Sequence, residues 1–138
     1  MIKTINMQDM RHMNLFARIT RVDTRFSFSY NDTLMFCVPK AKLSQALGKN
    51  AENLRKLSGI LKKRIRVVVK PRGIEDIEFF IKSIVAPVEF NGLEIKGDEV
   101  VLTAGSQSKA ALLGRNKRRL IEMKGIVKDF FSKEFRIV

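Results

Sequence analysis

A short segment of this chain occurs twice, and the repeat limits the folds that the sequence can adopt. Leu47-Gly48-Lys49-Asn50 returns 66 residues later as Leu113-Gly114-Arg115-Asn116. A leucine follows each copy at the same distance, at Leu54 and Leu120. In a chain of 138 residues, a repeat at about half the chain length predicts two copies of one small module.

Hydrophobic periodicity gives the two modules the same order of elements, α-β-β-α-α-β, which predicts an α+β fold. The first module is predicted to contain helices over 7–20, 41–47 and 51–61, a hairpin turning at Asn31-Asp32, and a strand from residue 64. The second is predicted to contain helices over 75–86, 106–113 and 116–131, a strand from Val88 to Ile95, a strand through Val100 and Leu102, and a last strand near Phe135. Its hairpin turn is placed at 96–98, and Asn91-Gly92 is either a bulge or, as the alternative, the turn itself. The short segment 70–73 separates the modules, so we expect domains over residues 1–72 and 73–138.

Positive charge is concentrated in the first half of the chain. Residues 1–72 carry 16 Lys or Arg and 4 Asp or Glu, a balance of +12, whereas residues 73–138 carry 11 and 10. The net charge of +13 predicts a polyanionic partner. Neither half shows a strongly basic amphipathic helix with Trp or Phe on its other face, which favours nucleic acid over a membrane surface.

The composition disfavours several classes of protein. No apolar run approaches the roughly 20 residues of a membrane helix and no signal-peptide pattern is present, so we expect a soluble, cytoplasmic protein. The single cysteine, Cys37, lies in an apolar strand and is predicted to be a buried thiol. The sequence has no Walker loop, no metal-spaced Cys/His set and no catalytic triad, which predicts a protein that is not an enzyme and uses no cofactor or metal.

The two glycine turns are the candidate functional sites. In a purely structural interpretation, Gly48 and Gly114 each end a helix, and the asparagine two residues later caps the next helix. In a functional interpretation, glycine lets another backbone approach, and the helix start offers N–H groups and positive potential to an anion. Lys49 and Arg115 occupy the same offset in both copies, which favours a phosphate contact.

This arrangement resembles the KH domain in its type II form, a three-stranded sheet packed against helices. KH modules clamp about four nucleotides of single-stranded RNA with a G-x-x-G loop. The corresponding segments here are Gly48-Lys49-Asn50-Ala51 and Gly114-Arg115-Asn116-Lys117. Ala51 and Lys117 replace the final glycine of the motif. The resemblance implies that these residues contact RNA.

The tandem arrangement is similar to the archaeal NusA-like transcription factor family, and the similarity covers nearly the whole chain. It is carried by Ala46-Leu47-Gly48-Lys49 with Asn53, by the apolar helix that ends in Ala86-Pro87, and by Leu113-Gly114-Arg115. It implies binding to nascent RNA and a role in transcription elongation, pausing or termination. It also raises RNA polymerase as a second partner.

Further residues around the turns complete the predicted RNA-binding surface. Basic side chains flank the first and second turns at Lys40, Lys42, Arg55 and Lys56, and at Arg118 and Arg119. By position in a KH cleft, apolar lining is predicted from Leu47, Leu54, Phe36 and Val38, and from Leu113, Leu120 and Val101 or Leu102. Many of these residues also suit the core, and a place in the core is the favoured assignment for any single one of them. Because the first half holds the excess charge, we expect Lys49→Glu to weaken RNA binding more than Arg115→Glu.

Two alternatives stay open on the sequence. A helix-turn-helix DNA-binding domain also joins two helices through a glycine turn, although the helix pairs here are bracketed by strands. A KH protein of ribosome assembly or RNA processing would share the fold of a transcription factor and differ only in its client.

Overall fold

The chain folds into two units that repeat one arrangement of helices and strands. The computed structural model describes residues 6–138, so the first five residues of the predicted first domain lie outside the described range. One unit ends at Pro71, and the other extends over Arg72–Val138. Each has the order α-β-β-α-α-β and a three-stranded sheet packed against helices. The predicted α+β class and element order are confirmed, and the architecture is consistent with a KH-like fold.

The middle strand of the sheet in the first unit has one antiparallel and one parallel neighbour. The helices of this unit are α1 (Met7–Thr20), α2 (Leu43–Leu47) and α3 (Glu52–Leu61). Its strands are β1 (Ser27–Tyr30), β2 (Thr33–Val38) and β3 (Arg64–Val69). Strand β2 is antiparallel to β1 and parallel to β3. The predicted turn at Asn31-Asp32 joins β1 to β2, and both turn residues have positive φ, 52° and 57°, as a tight hairpin turn requires.

The core of the first unit lies between its helices and one face of the sheet. Phe16 of α1 stacks on Phe36 of β2 with the ring centroids 4.4 Å apart, and both rings are fully buried. Leu54 and Leu61 of α3 pack against the same cluster. Cys37 is a buried free thiol, as the sequence predicts.

The second unit repeats this topology with a longer last helix. Its helices are α4 (Ile77–Val85), α5 (Ser106–Leu113) and α6 (Arg118–Phe131). Its strands are β4 (Gly92–Lys96), β5 (Glu99–Thr103) and β6 (Glu134–Ile137). Strand β5 is antiparallel to β4 and parallel to β6. Phe80 of α4 is buried with its ring centroid 4.9 Å from that of Phe130 on α6.

The 66-residue repeat extends into the sheets. Phe36 pairs with Ser27 in the first sheet, and Leu102 pairs with Leu93 in the second, so both partners are displaced by the same 66 positions. Helix α6 has 14 residues where α3 has 10, which shifts the last strand by four further residues. The two glycine turns therefore occupy equivalent places in two equivalent units.

One predicted strand is shorter than expected. Val88 and Phe90 were expected in the strand, but β4 begins at Gly92 because its partner β5 ends at Thr103, the residue opposite Gly92. The preceding Ala86–Pro87 peptide bond is cis. The turn expected at 96–98 is present at Gly97 and Asp98.

Within residues 6–138, the helices lack the combination of length and apolar character that crossing a bilayer would require.

Candidate nucleic-acid interface

Each glycine turn has a backbone conformation that requires glycine. Gly48 follows α2 with φ 76° and ψ 177°, and Gly114 follows α5 with φ 73° and ψ 175°. This combination of angles is essentially restricted to glycine, because a Cβ would collide with the neighbouring backbone. The two turns match to within a few degrees, so the sequence repeat specifies one local structure twice.

The residues after each glycine are also in an unusual conformation. Asn50 and Ala51 both have positive φ, 54° and 57°, and Asn116 and Lys117 have 55° and 58°. The predicted capping role of the asparagines is wrong, because Ala51 and Lys117 occupy the position immediately before α3 and α6. Asparagine tolerates the left-handed region better than most residues, which explains its recurrence in the turn.

The turns use some of the N–H groups that a helix start would offer to an anion. The amide of Ala51 donates to the Gly48 carbonyl at 3.3 Å, and that of Lys117 donates to the Gly114 carbonyl at 3.2 Å. The next amides, of Glu52 and Arg118, donate to the carbonyls of Lys49 and Arg115. The expectation that the helix starts present unpaired N–H groups is therefore not met at these four amides. Binding of an anion at the turn therefore depends more on side-chain cations than on backbone N–H groups.

The outer side of each turn is exposed and basic. Lys49 and Asn50 are exposed in the first turn, and Arg115, Asn116 and Lys117 are exposed in the second. The glycine that precedes each cation adds no side chain of its own. A phosphate chain can therefore approach the backbone at the turn while a cation lies beside it.

The inner side of each turn is held by one side chain from the following helix. Asn53 Nδ2 donates to the carbonyls of Gln45 and Ala46 at 3.2 Å each. Arg119, the equivalent residue of the second unit, donates through Nη1 to the Ala111 carbonyl at 2.9 Å. These carbonyls belong to the last turns of α2 and α5, where helices leave acceptors without intrahelical partners.

The same two side chains lie against the turn glycines. A Cβ added to Gly48 would lie 2.9 Å from Asn53 Nδ2, and one added to Gly114 would lie 2.8 Å from Arg119 Cγ. The dihedral angles require glycine at both positions, and a Cβ would in addition force the Asn53 amide or the Arg119 stem to move. The sequence indicates Asn53 only through the family resemblance. Its position 66 residues before Arg119 also marks it as part of the repeat.

The predicted flanking cations are exposed, but several also contact the protein. Lys40 and Lys42 are exposed in a single turn of 3₁₀-helix between β2 and α2. Lys56 pairs with Glu52 at 3.2 Å on the surface of α3. Arg55 Nη1 donates to the carbonyl of Asn50 and so supports the first turn from α3.

In the second unit, Arg118 is exposed at the start of α6, whereas Arg119 is half-buried. The residue equivalent to Arg55 is Ile121, whose side chain is 64% exposed. The two turns thus share their backbone and their tip cation, and differ in the side chains around them.

Part of the predicted apolar cleft is core. Phe36, Val38 and Leu102 have no exposed surface and Val101 is 5% exposed, so none of them is available to a nucleotide base. The reason is that the central strand of each sheet is covered by the helices. The half-buried leucines next to the turns are the remaining predicted lining: Leu47, Leu54, Leu113 and Leu120.

In the part of the chain that the structure describes, no three His, Cys, Asp or Glu side chains lie close enough together to hold a metal ion.

Comparison with known proteins supports the fold and indicates a relationship. No family model matches the sequence. A crystal structure of a protein designated APE1850 has a similar fold, with a TM-score of 0.68 and 21% sequence identity over 96% of this chain and 99% of that chain. The two proteins therefore share a fold across nearly their whole lengths.

A curated relative is similar in sequence. The chain is 28% identical over 100 residues to "Probable transcription termination protein NusA" of Methanococcus vannielii. The match covers 71% of this chain and 56% of the relative, so the chain spans about half the length of that protein. This similarity supports a relationship to NusA proteins.

Proposed function

We propose that this protein binds single-stranded RNA through two type II KH modules and acts as a NusA-like factor on nascent transcripts during elongation or termination. The observation that carries the proposal is the duplicated turn, with the same backbone angles in both units and an exposed cation after each glycine. The similarity to a NusA protein supports the transcriptional role. RNA polymerase is the proposed protein partner, and the protein is proposed to act by binding rather than by catalysis.

In this proposal the turns hold the sugar-phosphate chain and the neighbouring leucines contact the bases. Lys49 and Arg115 neutralise phosphates, and Lys40, Lys42, Arg118 and the other exposed flanking cations extend the attraction. Each phosphate contact on a single strand steepens the logarithmic salt dependence of binding by about 0.7. Half-buried Leu54 and Leu120 offer an apolar surface beside the exposed backbone of the turn.

The contribution of each turn to RNA binding depends on whether the charges next to the turn or those of the whole unit dominate the attraction. Residues 49–56 include three cations and one anion, and residues 115–122 include four cations and one anion. Local charge is therefore similar at the two turns, and the first unit differs by its further cations, such as Lys62, Lys63 and Arg64. We expect the field of the whole unit to make the first turn the stronger site.

The first test compares ligands at a single salt concentration. The full chain is expected to bind a labelled single-stranded RNA more tightly than a duplex DNA of the same length. Tighter binding to the duplex would favour the alternative of a helix-turn-helix DNA-binding domain and overturn the proposal.

The second test reverses single charges. Lys49→Glu is expected to weaken RNA binding by about tenfold or more, since it replaces a phosphate-binding cation by an anion. Arg115→Glu is expected to weaken it less. Lys62→Glu is the matched control, because Lys62 directly follows the ten-residue helix α3 and so lies about 15 Å along the helix from the turn. A loss at Lys62 equal to that at Lys49 would show that binding follows net charge and not the turn.

The client is tested by copurification. A tagged chain is expected to recover RNA polymerase in an RNA-dependent or direct complex. Recovery of ribosomal particles in place of polymerase would support the alternative of ribosome assembly or RNA processing.

A further inference from the structure

Two residues that hold the turns come from the same position of the repeat and differ in chemistry. Asn53 and Arg119 are the second residues of α3 and α6, and each donates to a carbonyl eight residues earlier in the chain. A neutral amide therefore makes in the first unit the contact that a guanidinium makes in the second. The two units therefore share a hydrogen-bond donor at this position of the repeat, but they do not share a charge.

The contact joins the end of one helix to the start of the next around the glycine. In the first unit, Asn53 bridges to the last turn of α2 through the Gln45 and Ala46 carbonyls. Its Nδ2 lies 2.9 Å from the position that a Gly48 Cβ would take. A side chain that both ties the two helices and fills the space inside the turn fixes the path of the backbone between them.

Arg119 performs this role with a longer side chain. Its Cβ, Cγ and Cδ lie 3.1, 2.8 and 3.2 Å from the position of a Gly114 Cβ, so the aliphatic stem packs on the glycine. Its Nη1 reaches the Ala111 carbonyl at the negative end of α5. The guanidinium is thus directed to the preceding helix, while Arg115 and Lys117 lie exposed at the outer side of the turn.

We propose that Asn53 and Arg119 are positioning residues that hold the two glycine turns in their RNA-binding shape, and that Arg119 acts through the Ala111 carbonyl rather than through phosphate. This rests on the proposed RNA-binding function. It reassigns Arg119, which the sequence places among the phosphate contacts.

The first unit indicates which substitution should preserve the role of Arg119 in the second. Arg119→Asn introduces the residue of the first unit into the second, where the carbonyl acceptor lies at the same sequence distance. A positioning role predicts that Arg119→Asn keeps most of the RNA affinity, whereas Arg119→Ala loses about fivefold to tenfold, the effect of losing one ordinary hydrogen bond. Asn53→Ala is expected to lose about tenfold in the first unit for the same reason.

The salt dependence separates positioning from phosphate contact. Binding of a labelled mixed-sequence single-stranded RNA of about 20 nucleotides, enough for two loops that each clamp about four, is measured at several salt concentrations. Arg119→Asn is expected to leave the logarithmic slope unchanged. Arg115→Asn, which removes one cation at the exposed tip, is the matched control and is expected to lower the slope by about 0.7. A slope change at Arg119 equal to that at Arg115 would overturn the proposal.

A measurement without RNA judges the positioning role independently. The amide of Gly48 donates to the Ser44 carbonyl of α2, and that of Gly114 donates to the Ala110 carbonyl of α5, so each glycine amide reports on the junction between helix and turn. Arg119→Ala is expected to shift the Gly114 amide resonance and speed its hydrogen exchange, while Arg119→Asn restores both toward wild type. Unchanged Gly114 signals in Arg119→Ala would overturn the inference. If the wild-type chain fails to bind single-stranded RNA while these signals behave as expected, the proposed function fails and the positioning role stands.

Discussion

Exchanging glycine and alanine within the first turn tests the backbone argument directly. Gly48 and Ala51 are three residues apart, and both have positive φ, but they occupy different regions. Gly48 has ψ of 177°, where only glycine is at ease, whereas Ala51 has φ 57° and ψ 32°, the left-handed helical region. Gly48→Ala and Ala51→Gly are therefore expected to change stability in opposite directions.

The cost of Gly48→Ala has three components. The backbone angles cost a non-glycine residue about 1–3 kcal/mol. The new Cβ would lie 2.9 Å from Asn53 Nδ2, so Asn53 must move and its two hydrogen bonds to α2, about 1 kcal/mol each, are weakened. Stiffening of the unfolded chain offsets about 0.4–1 kcal/mol. We expect a net destabilisation of about 2–3 kcal/mol.

Ala51→Gly reverses the balance. An L-residue in the left-handed region costs about 1–2 kcal/mol, which glycine relieves. The added freedom of the unfolded chain takes back about 0.4–1 kcal/mol. We expect a net stabilisation of about 0.5–1 kcal/mol.

Urea unfolding followed by far-UV circular dichroism measures both changes. With a slope of about 1–3 kcal/mol per molar urea, Gly48→Ala should lower the midpoint of the first unit by about 1 M and Ala51→Gly should raise it by a few tenths. Asn53→Ala is the control, since it removes the side-chain contact and leaves the glycine. Midpoints that move in the same direction for the two exchanges would refute the backbone argument.

Three further predictions follow from the structure. Lys117→Gly in the second turn should stabilise its unit by about 0.5–1 kcal/mol in the same assay, and a loss of stability would show that the Lys117 side chain compensates its backbone. Phe36→Ala should destabilise the first unit by about 3–5 kcal/mol, because the ring stacks on Phe16 in the core; unaltered stability with lost RNA binding would instead place Phe36 at the surface. Burial, together with the nearby charge of Lys63, lowers the pKa of His12 from 6.5 against an opposing effect of Asp9. Protonation therefore favours the unfolded chain, and the free energy of unfolding should fall as the pH drops below about 6.5; His12→Gln should flatten that dependence, and an unchanged slope would contradict it.

The sequence by itself determined the repeat, the order of elements and the positions of the two glycines. Apolar periodicity sets which face of a helix or strand is buried, and this information is local. The sequence also shows directly that a cation follows the glycine in both copies of the repeat. The resemblance of the turns to KH loops could be recognised from the same residues.

Tertiary structure alone decided which side chains line the turns and which belong to the core. By position in the KH resemblance, Phe36 and Leu102 fit either a cleft or the core, and the structure places both in the core, fully buried under the helices. Arg119 carries a charge that suits phosphate, yet its guanidinium reaches the end of α5. Periodicity assigns a residue to a face, but what lies against that face depends on contacts between segments far apart in the chain.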